Sequence, residues 1–193
     1  MTLSSQIDHL AGLIISRLTA LGQTLATCES LTGGLIVASL VDVPGASLVV
    51  RGGLVTYATD LKTRLAGVPA QMIADETVVS QAVAEAMAIG CQRACLADWG
   101  IGVTGVAGPG PTDGVPAGSC WLTVAGPHQL NSRLLELPGD RSAVRWGVVE
   151  AALTAIAASC EVAAPDSDRL PQVAVPPLIK RRGVKPAWVE PVD

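Results

Sequence analysis

The sequence predicts an α/β domain, a three-layer α/β/α sandwich with a mixed β-sheet. Three observations lead to this fold class. Helical patterns alternate with short buried-strand patterns early in the chain, two strand patterns then follow each other directly, and a long apolar helix pattern comes after them. Strands joined through helices pair in parallel and hairpin strands pair antiparallel, so both kinds of pairing are expected in one sheet.

The composition is that of one globular domain with a large aliphatic core. The chain has 193 residues, of which 49% are hydrophobic, and its mean hydropathy is +0.45. Phe is absent and aromatic residues make up only 3%. We therefore expect a core rich in alanine and aliphatic side chains, with closely packed helices.

The first elements follow from apolar periodicity and from turn residues. Ser4 is predicted to cap a helix that Gly22 ends, and "TLATC" is predicted to be a buried strand. A second helix follows Gly34 and ends before Pro44-Gly45. "LVVRGGLVTYA" is a second strand with a kink or bulge at its glycine pair.

The later elements are predicted in the same way. Thr59 is expected to cap the short helix "TDLKTRLAGV", and Ser80 the long helix "QAVAEAMAIGCQRACLAD". "WGIGVTG" is a third strand, and a loop rich in Gly and Pro leads from it to a hairpin formed by "SCWLTVAG" and "QLNSRLLELPG". Asp140 lies near the start of the last helix.

The composition changes after the last helix, which predicts a boundary between a domain at 1–162 and an extension at 163–193. Six of the 13 Pro residues lie in the extension. Its run "KRRGVK" is typical of a solvated charge run, and a patch for an anionic partner is the alternative.

Several classes of protein are disfavoured by charge and residue usage. The net charge of −4 disfavours broad binding to nucleic acid. The five Cys residues form no C-x-x-C pair, and neither of the two His residues lies in a motif of reactive residues, so a metal site, a disulfide framework and a Ser-His-Asp triad are not expected. No basic segment precedes an apolar run at the start, and no apolar run reaches the ~18 residues of a membrane span, so a cytoplasmic protein is expected.

The stretch "CESLTGG" is the first candidate for chemistry. Ser30 follows a buried strand and precedes a helix that begins with glycines. One interpretation makes Ser30 or Thr32 only a helix cap. The other makes Ser30 a nucleophile, with Thr32, Gly33 and Gly34 at a helix N-terminus that binds an oxyanion or a phosphate.

The stretch "TYATDLK" is the second candidate. Tyr57 ends a strand, and Lys62 lies in the first turn of the next helix. A lysine acts as a general base when burial or nearby positive charge lowers its pKa from ~10.4 to roughly 7–8. The alternative is a surface lysine that pairs with Asp60 or with solvent.

Two further stretches carry polar groups toward the same region. Thr104 and Gly105 end the third strand, where α/β proteins commonly bind ligands. Thr104 is expected to donate a hydrogen bond to the substrate or to the nucleophile. The alternative is an ordinary polar strand end. Arg141 and Arg145 share one helix face and suit a phosphate or carboxylate; the alternative is pairing with acidic neighbours.

Taken in order, these stretches resemble the CinA C-terminal domain family, which includes stand-alone nicotinamide-nucleotide amidases. The resemblance covers roughly residues 4 to 160 and is carried by "TCESLTGG", "RGGLVTYATDLKTRLAGV", "VVSQAVAEAMAIG", "GVTGVAGPGP", "VPAGSCW" and "GDRSAVR". It implies a homodimer that hydrolyses nicotinamide mononucleotide (NMN) to nicotinate mononucleotide and ammonia, with no metal or cofactor. The residues that match the family's motif are Ser30, Tyr57, Lys62 and Thr104.

The sequence departs from the family pattern in one loop. Val115 stands where members often have a lysine, and "GPGPTDG" replaces the commoner glycine run. The resemblance also leaves an alternative function, a non-catalytic module that senses a nucleotide or binds a partner in competence or DNA-damage responses, RecA included.

Overall fold

A computed structural model of the chain describes residues 2–162. The predicted extension, 163–193, lies outside the described residues, so the domain boundary stays a prediction. The described elements are, in order, α1 (Leu3–Leu21), β1 (Leu25–Glu29), α2 (Leu35–Val41), a 3-10 turn (Ala46–Leu48), β2 (Val50–Val55), α3 (Thr59–Ala66), α4 (Ala70–Glu76), α5 (Gln81–Cys95), β3 (Trp99–Gly105), β4 (Ser119–Ala125), β5 (Leu130–Glu136) and α6 (Arg141–Val162).

The five strands form one mixed sheet in the order β2-β1-β3-β4-β5. β1 pairs in parallel with both β2 and β3, whereas β4 pairs antiparallel with β3 and with β5. This confirms the predicted mixed sheet. The carboxyl ends of β2, β1 and β3 consequently meet at one edge of the sheet.

Helices cover both faces of the sheet, which confirms the three-layer sandwich. α1, α2 and α6 pack together on one face, and α3, α4 and α5 lie on the other. The strands divide their side chains between the two cores by alternation. In β1, Leu25 belongs to the first core, and Ala26 and Cys28 belong to the second.

The long helix α5 lies directly on the backbone of β3. A Cβ at Gly100 would collide with the carbonyl oxygen of Ala88, and one at Gly102 would collide with that of Ala84. Only glycine allows this approach. The expectation of closely packed helices is confirmed at this contact.

The helix starts agree only partly with the sequence. Ser80 caps α5 as predicted, since its hydroxyl accepts a hydrogen bond from the amide of Val83 at 3.3 Å. The cap of α1 is Thr2 rather than Ser4, and α3 begins at Thr59 without any side-chain cap. The sequence also missed α4, a short helix with no buried residue and therefore a weak apolar pattern.

Helix α6 combines the length and the hydropathy of a membrane-spanning helix over Arg141–Cys160. Its buried side chains, among them Val148, Leu153 and Ile156, belong to the core that α6 shares with α1. A helix in the core of a globular domain has the same composition.

Candidate active site

Strand alternation determines where Ser30 lies. Ala26 and Cys28 of β1 face the layer of α3 and α5, whereas Glu29 contacts the first turn of α2 on the other face. Ser30 continues the alternation and comes to the side of α3, where Lys62 lies. The amide of Ser30 donates to the carbonyl of Val103 in β3, which ties the residue to the sheet at 3.2 Å.

Lys62 is buried beside Ser30. Its side chain is only 1% exposed, although it lies in the first turn of a short surface helix. The ammonium nitrogen Nζ lies 3.1 Å from Ser30 Oγ and 2.9 Å from the carbonyl oxygen of Thr56. The alternative of a surface ion pair is wrong, because Asp60 pairs with Arg64.

Burial lowers the pKa of Lys62, because the charged ammonium loses hydration, and a nearby thiolate at Cys28 would act in the opposite sense. Within residues 2–162 the single ion pair is that of Asp60 and Arg64, so no carboxylate there stabilises the charge of Lys62. A lysine in these surroundings is suited to accept a proton from Ser30.

Cys28 is the other candidate nucleophile near Ser30, and its side chain is in a less reactive protonation state. It is fully buried, and burial raises the pKa of its thiol to about 11. Its Sγ lies 3.5 Å from the hydroxyl oxygen of Thr56. The thiol is therefore protonated and unreactive near neutral pH.

Glu29 caps α2, so the predicted cap by Ser30 or Thr32 is wrong, and the amides of Gly33 and Gly34 are bonded within the protein rather than free for a substrate anion. The buried carboxylate accepts hydrogen bonds from the amides of Gly34 (2.9 Å), Ile36 (3.1 Å) and Val37 (2.9 Å). The helix begins only at Leu35, and neither Ser30 nor Thr32 caps it. An internal carboxylate thus occupies the N-terminus that was expected to hold a substrate anion.

Arg145 holds the turn that follows Ser30. Its Nε donates to the carbonyl of Leu31 at 3.0 Å, and its Nη2 donates to the carbonyl of Thr32 at 2.9 Å. Arg145 and Thr32 are absent from the side chains that line the cavity described below. The structure therefore argues against the predicted substrate contacts of Arg145 and Thr32, since the guanidinium is committed to the turn.

Two backbone amides of this turn have no acceptor within the described residues, namely those of Leu31 and Thr32. The carbonyls of the same two peptide units are held, that of Ser30 by the amide of Gly33 at 3.1 Å and that of Leu31 by Arg145. In a trans peptide the N–H points opposite to the C=O, so both N–H directions are determined. Thr32 is fully buried and does not line the cavity, so of the two amides only that of Leu31, a residue of the cavity lining, is suited to donate to an oxyanion next to Ser30.

Tyr57 and Arg141 lie together at the mouth of the site. The phenol of Tyr57 is 61% exposed and its oxygen accepts a hydrogen bond from Arg141 Nη2 at 3.0 Å. Arg141 also donates through Nη1 to the carbonyl of Gly108. The hydrogen bonds of Lys62 go to other groups, so the expected orienting role of Tyr57 on Lys62 has no direct contact behind it.

A polar cavity of about 250 Å³ opens over these residues. Its lining includes Ser30, Leu31, Tyr57, Thr59, Lys62, Val78, Thr104, Gly105, Gly108, Asp113 and Arg141. The hydroxyl of Thr104 donates to the carbonyl of Val78 at 2.7 Å. Because its proton is used there, Thr104 faces the cavity as an acceptor, not as the predicted donor.

Sequence reasoning missed four contributors to the site: Glu29, Thr56, Val78 and Asp113. Thr56 and Val78 act through backbone carbonyls, which leave no signal in residue type. Glu29 stands beside Ser30 in the quoted motif, and its place on a fully buried strand was the signal for an internal role. Within residues 2–162 no group of three or more Cys, His, Asp or Glu side chains is placed to hold a metal ion.

Comparison with known proteins places this geometry in a family. Among curated relatives, a CinA-like protein of Frankia casuarinae is 43% identical over 146 residues, and one of Anaeromyxobacter dehalogenans is 45% identical over 139. These matches cover 76% and 72% of this chain but only 34% of each relative, so the chain spans about a third of their length.

Several solved structures have the same fold, and the match extends over almost the whole of each of those chains. The competence/damage inducible protein CihA from Agrobacterium tumefaciens matches with a TM-score of 0.77 and 33% identity, over 79% of this chain and 94% of that one. The competence damage-inducible protein A from Klebsiella pneumoniae matches with a TM-score of 0.79 and 30% identity, over 82% and 99%. The sequence profile of the CinA C-terminal domain matches residues 7–160, and the chain therefore belongs to the CinA C-terminal domain family.

Proposed function

We propose that this protein is a serine amidohydrolase that removes ammonia from the carboxamide of nicotinamide mononucleotide. The observation that carries the proposal is the buried contact between Lys62 Nζ and Ser30 Oγ at 3.1 Å, at the base of a polar cavity. A serine hydroxyl beside a buried lysine that can accept its proton is an activated nucleophile.

In the first half of the reaction Ser30 is acylated. Neutral Lys62 takes the proton of Ser30 as Oγ attacks the carboxamide carbon. The tetrahedral intermediate places its oxyanion toward the amide of Leu31, which lines the cavity. Lys62 then passes the proton to the nitrogen, the carbon–nitrogen bond breaks, and ammonia leaves an ester on Ser30.

Water completes the cycle along the same path. Lys62 takes a proton from the water that attacks the ester carbonyl, and returns it to Ser30 as the ester bond breaks. The product is nicotinate mononucleotide. The scheme needs neither a metal nor an organic cofactor, because base, nucleophile and oxyanion donors are all supplied by the chain.

The choice of substrate rests on the family resemblance and on the polarity of the cavity. The pyridinium ring of NMN withdraws electrons from the carboxamide and makes it a better electrophile. Thr104, as an acceptor, is suited to the N–H groups of that amide. Arg141 at the mouth suits the phosphate. The N-terminus of α2 does not, since Glu29 occupies it.

The competing proposal is a module that senses a nucleotide or binds a partner without turnover. It agrees with the competence and damage names that several structural relatives carry. It gives no role to a lysine that is buried against a serine, and for that reason we favour the hydrolase.

The test is ammonia release from NMN by the purified full chain, with nicotinate mononucleotide identified by chromatography. The rate of ammonia release is expected to be up to about 10⁶-fold lower for Ser30→Ala than for the wild-type protein. Ser16→Ala, an exposed serine of α1, is the matched control and should keep full activity. A folded wild-type protein that binds NMN without releasing ammonia would favour the competing proposal.

A further inference from the structure

The residue before Ser30 has the densest set of polar contacts near the site. Glu29 is fully buried, and its two carboxylate oxygens accept four hydrogen bonds. Three come from backbone amides of the first turn of α2, and the fourth comes from the hydroxyl of Thr27 at 3.0 Å. The carbonyl of Glu29 in turn accepts from the amide of Thr56, the residue whose own carbonyl holds Lys62.

Together with Arg145, these contacts hold the turn that carries Ser30. The turn has only four residues between the end of β1 and the N-cap Gly34, from Ser30 to Gly33. Glu29 binds its far end through the amide of Gly34, and Arg145 binds its middle through two carbonyls. The far end and the middle of the turn are therefore held by charged groups, and its start is held by the amide of Ser30 on the carbonyl of Val103.

We propose that Glu29 is a positioning residue that sets the Ser30 turn for nucleophilic attack. By taking the amides at the start of α2, the carboxylate draws that helix onto the end of β1, so the four residues between them have one conformation. In it Ser30 Oγ lies against Lys62, and the amide of Leu31 at the cavity stays unpaired. Glu29 does not touch the cavity and acts only through this turn.

The same contacts exclude an alternative use of the helix. A free N-terminus beside the nucleophile would attract the phosphate of a nucleotide and hold it next to Ser30. With the carboxylate of Glu29 in that place, the amides of Gly34, Ile36 and Val37 are not available to a phosphate.

This inference rests on the proposed function only in taking Ser30 as the nucleophile, so its test uses a probe that does not require the substrate. A fluorophosphonate reacts with an activated serine. The Ser30 Oγ–phosphorus bond forms, the phosphorus–fluorine bond breaks, fluoride leaves, and Lys62 takes the hydroxyl proton. The rate of the mass increase of the intact full chain reports the nucleophile and its oxyanion donors together.

The variants are Glu29→Gln, which is isosteric but presents an amide nitrogen to a backbone N–H, and Glu29→Asp, which keeps the charge on a shorter side chain. Displacement of catalytic groups by about 1 Å can cost about 10²-fold, so a loss of tenfold to a hundredfold in labelling rate and in kcat is expected. KM for NMN should change little, since the cavity lining is intact. If the Gln variant does not fold, the Asp variant decides.

Asp98→Asn is the matched control. Asp98 also accepts from a backbone amide, that of Thr24, but it lies at the opposite edge of the sheet. It should lose stability without losing labelling rate. Unchanged labelling and kcat in a folded Glu29 variant, or the same loss in Asp98→Asn, would overturn the inference. Labelling of Ser30→Ala at the wild-type rate would instead refute Ser30 as nucleophile, and labelling without ammonia release would refute only the substrate.

Discussion

Lys62 is almost wholly buried and has no acidic partner within residues 2–162, and it is the residue on which the proposed chemistry depends. Water hydrates an exposed ammonium strongly. In the buried Lys62 the hydrogen bonds of Nζ go instead to the hydroxyl of Ser30 and the carbonyl of Thr56. The loss of hydration favours the neutral amine, which is the form that accepts a proton. The same position with an aspartate nearby would hold the charge and make Lys62 a salt-bridge residue.

The pH dependence of kcat/KM is the first prediction. The active form carries neutral Lys62, so kcat/KM should rise with pH through the pKa of that lysine. Because burial lowers this pKa, the acidic limb should lie below the ordinary value of 10.5. A pH–rate profile for ammonia release from NMN measures it.

Lys62→Arg tests the same residue by a second route. It keeps a positive charge but cannot give up a proton at any accessible pH, so we expect turnover near the background rate with NMN still bound. Lys62→Ala should be equally inactive, and added small amines should restore part of the rate. Near-normal turnover of Lys62→Arg would mean that a positive charge suffices, and Tyr57 would be the next base to test.

Cys28 should be dispensable for the reaction. With its pKa at about 11, only about one thiol in a thousand is ionised at pH 8. Iodoacetamide at that pH should therefore leave ammonia release unchanged while Cys28 stays unmodified in peptide mass spectra. Inactivation that keeps pace with alkylation of Cys28 would contradict the serine mechanism, and Cys28→Ala provides the control.

At the scale of elements, the site depends on how closely α5 approaches β3. Gly100 and Gly102 bring the helix onto the strand, and the next residue on that face, Thr104, then reaches the carbonyl of Val78 just before α5. Because Gly100 and Gly102 have no side chains, α5 lies close to β3, and this close packing determines the position of Thr104 and Val78 in the cavity lining.

Gly102→Ala should destabilise the protein. The added Cβ meets the backbone of α5 at Ala84, which cannot rotate away, so we expect a loss of about 1–3 kcal/mol in the free energy of unfolding. Gly12→Ala in α1 is the matched control. Its Cβ would meet nothing within 4 Å, and it should gain about 0.5–1 kcal/mol from helix propensity. Urea unfolding of both variants distinguishes a packing effect from a general glycine effect.

At the scale of the whole molecule, the groups of the candidate site and both cores lie within residues 2–162. The site is assembled from the ends of β1, β2 and β3, the first turn of α3 and the start of α6. The longer curated relatives contain this region as about a third of their length. The architecture thus predicts that this region carries the reaction by itself.

Removal of the extension tests that prediction. A chain that lacks residues 164–193 should fold and release ammonia from NMN, because the family match, residues 7–160, lies wholly upstream of the deletion. Circular dichroism and the ammonia assay measure the two properties. A truncated protein that folds but is inactive would assign the extension a part in the site.

Local patterns predicted much of this protein correctly. The mixed sheet, the hairpin and the Ser80 cap follow from apolar periodicity and cap residues, which are encoded within short windows of sequence. The motif resemblance and residue chemistry also selected Ser30 and Lys62, whose side chains the fold brings into contact, and their catalytic roles stay a prediction. The cap of α2 was misassigned because the rule looks at the residues just before a helix, and the acceptor there is Glu29, on the preceding strand.

By itself, the sequence determined the fold class, the order of the elements other than α4, and the two residues proposed for nucleophile and base. Only the tertiary structure decided what state and partners those residues have. Lys62 is 32 positions from Ser30, and Arg145 is 114 from Leu31. Burial, hydrogen-bond partners and pKa depend on groups that folding brings together from distant parts of the chain, whereas helix and strand propensities depend on neighbours. For this reason Arg145 and the glycines of the turn, which looked like ligands in the sequence, proved to be occupied by the protein itself.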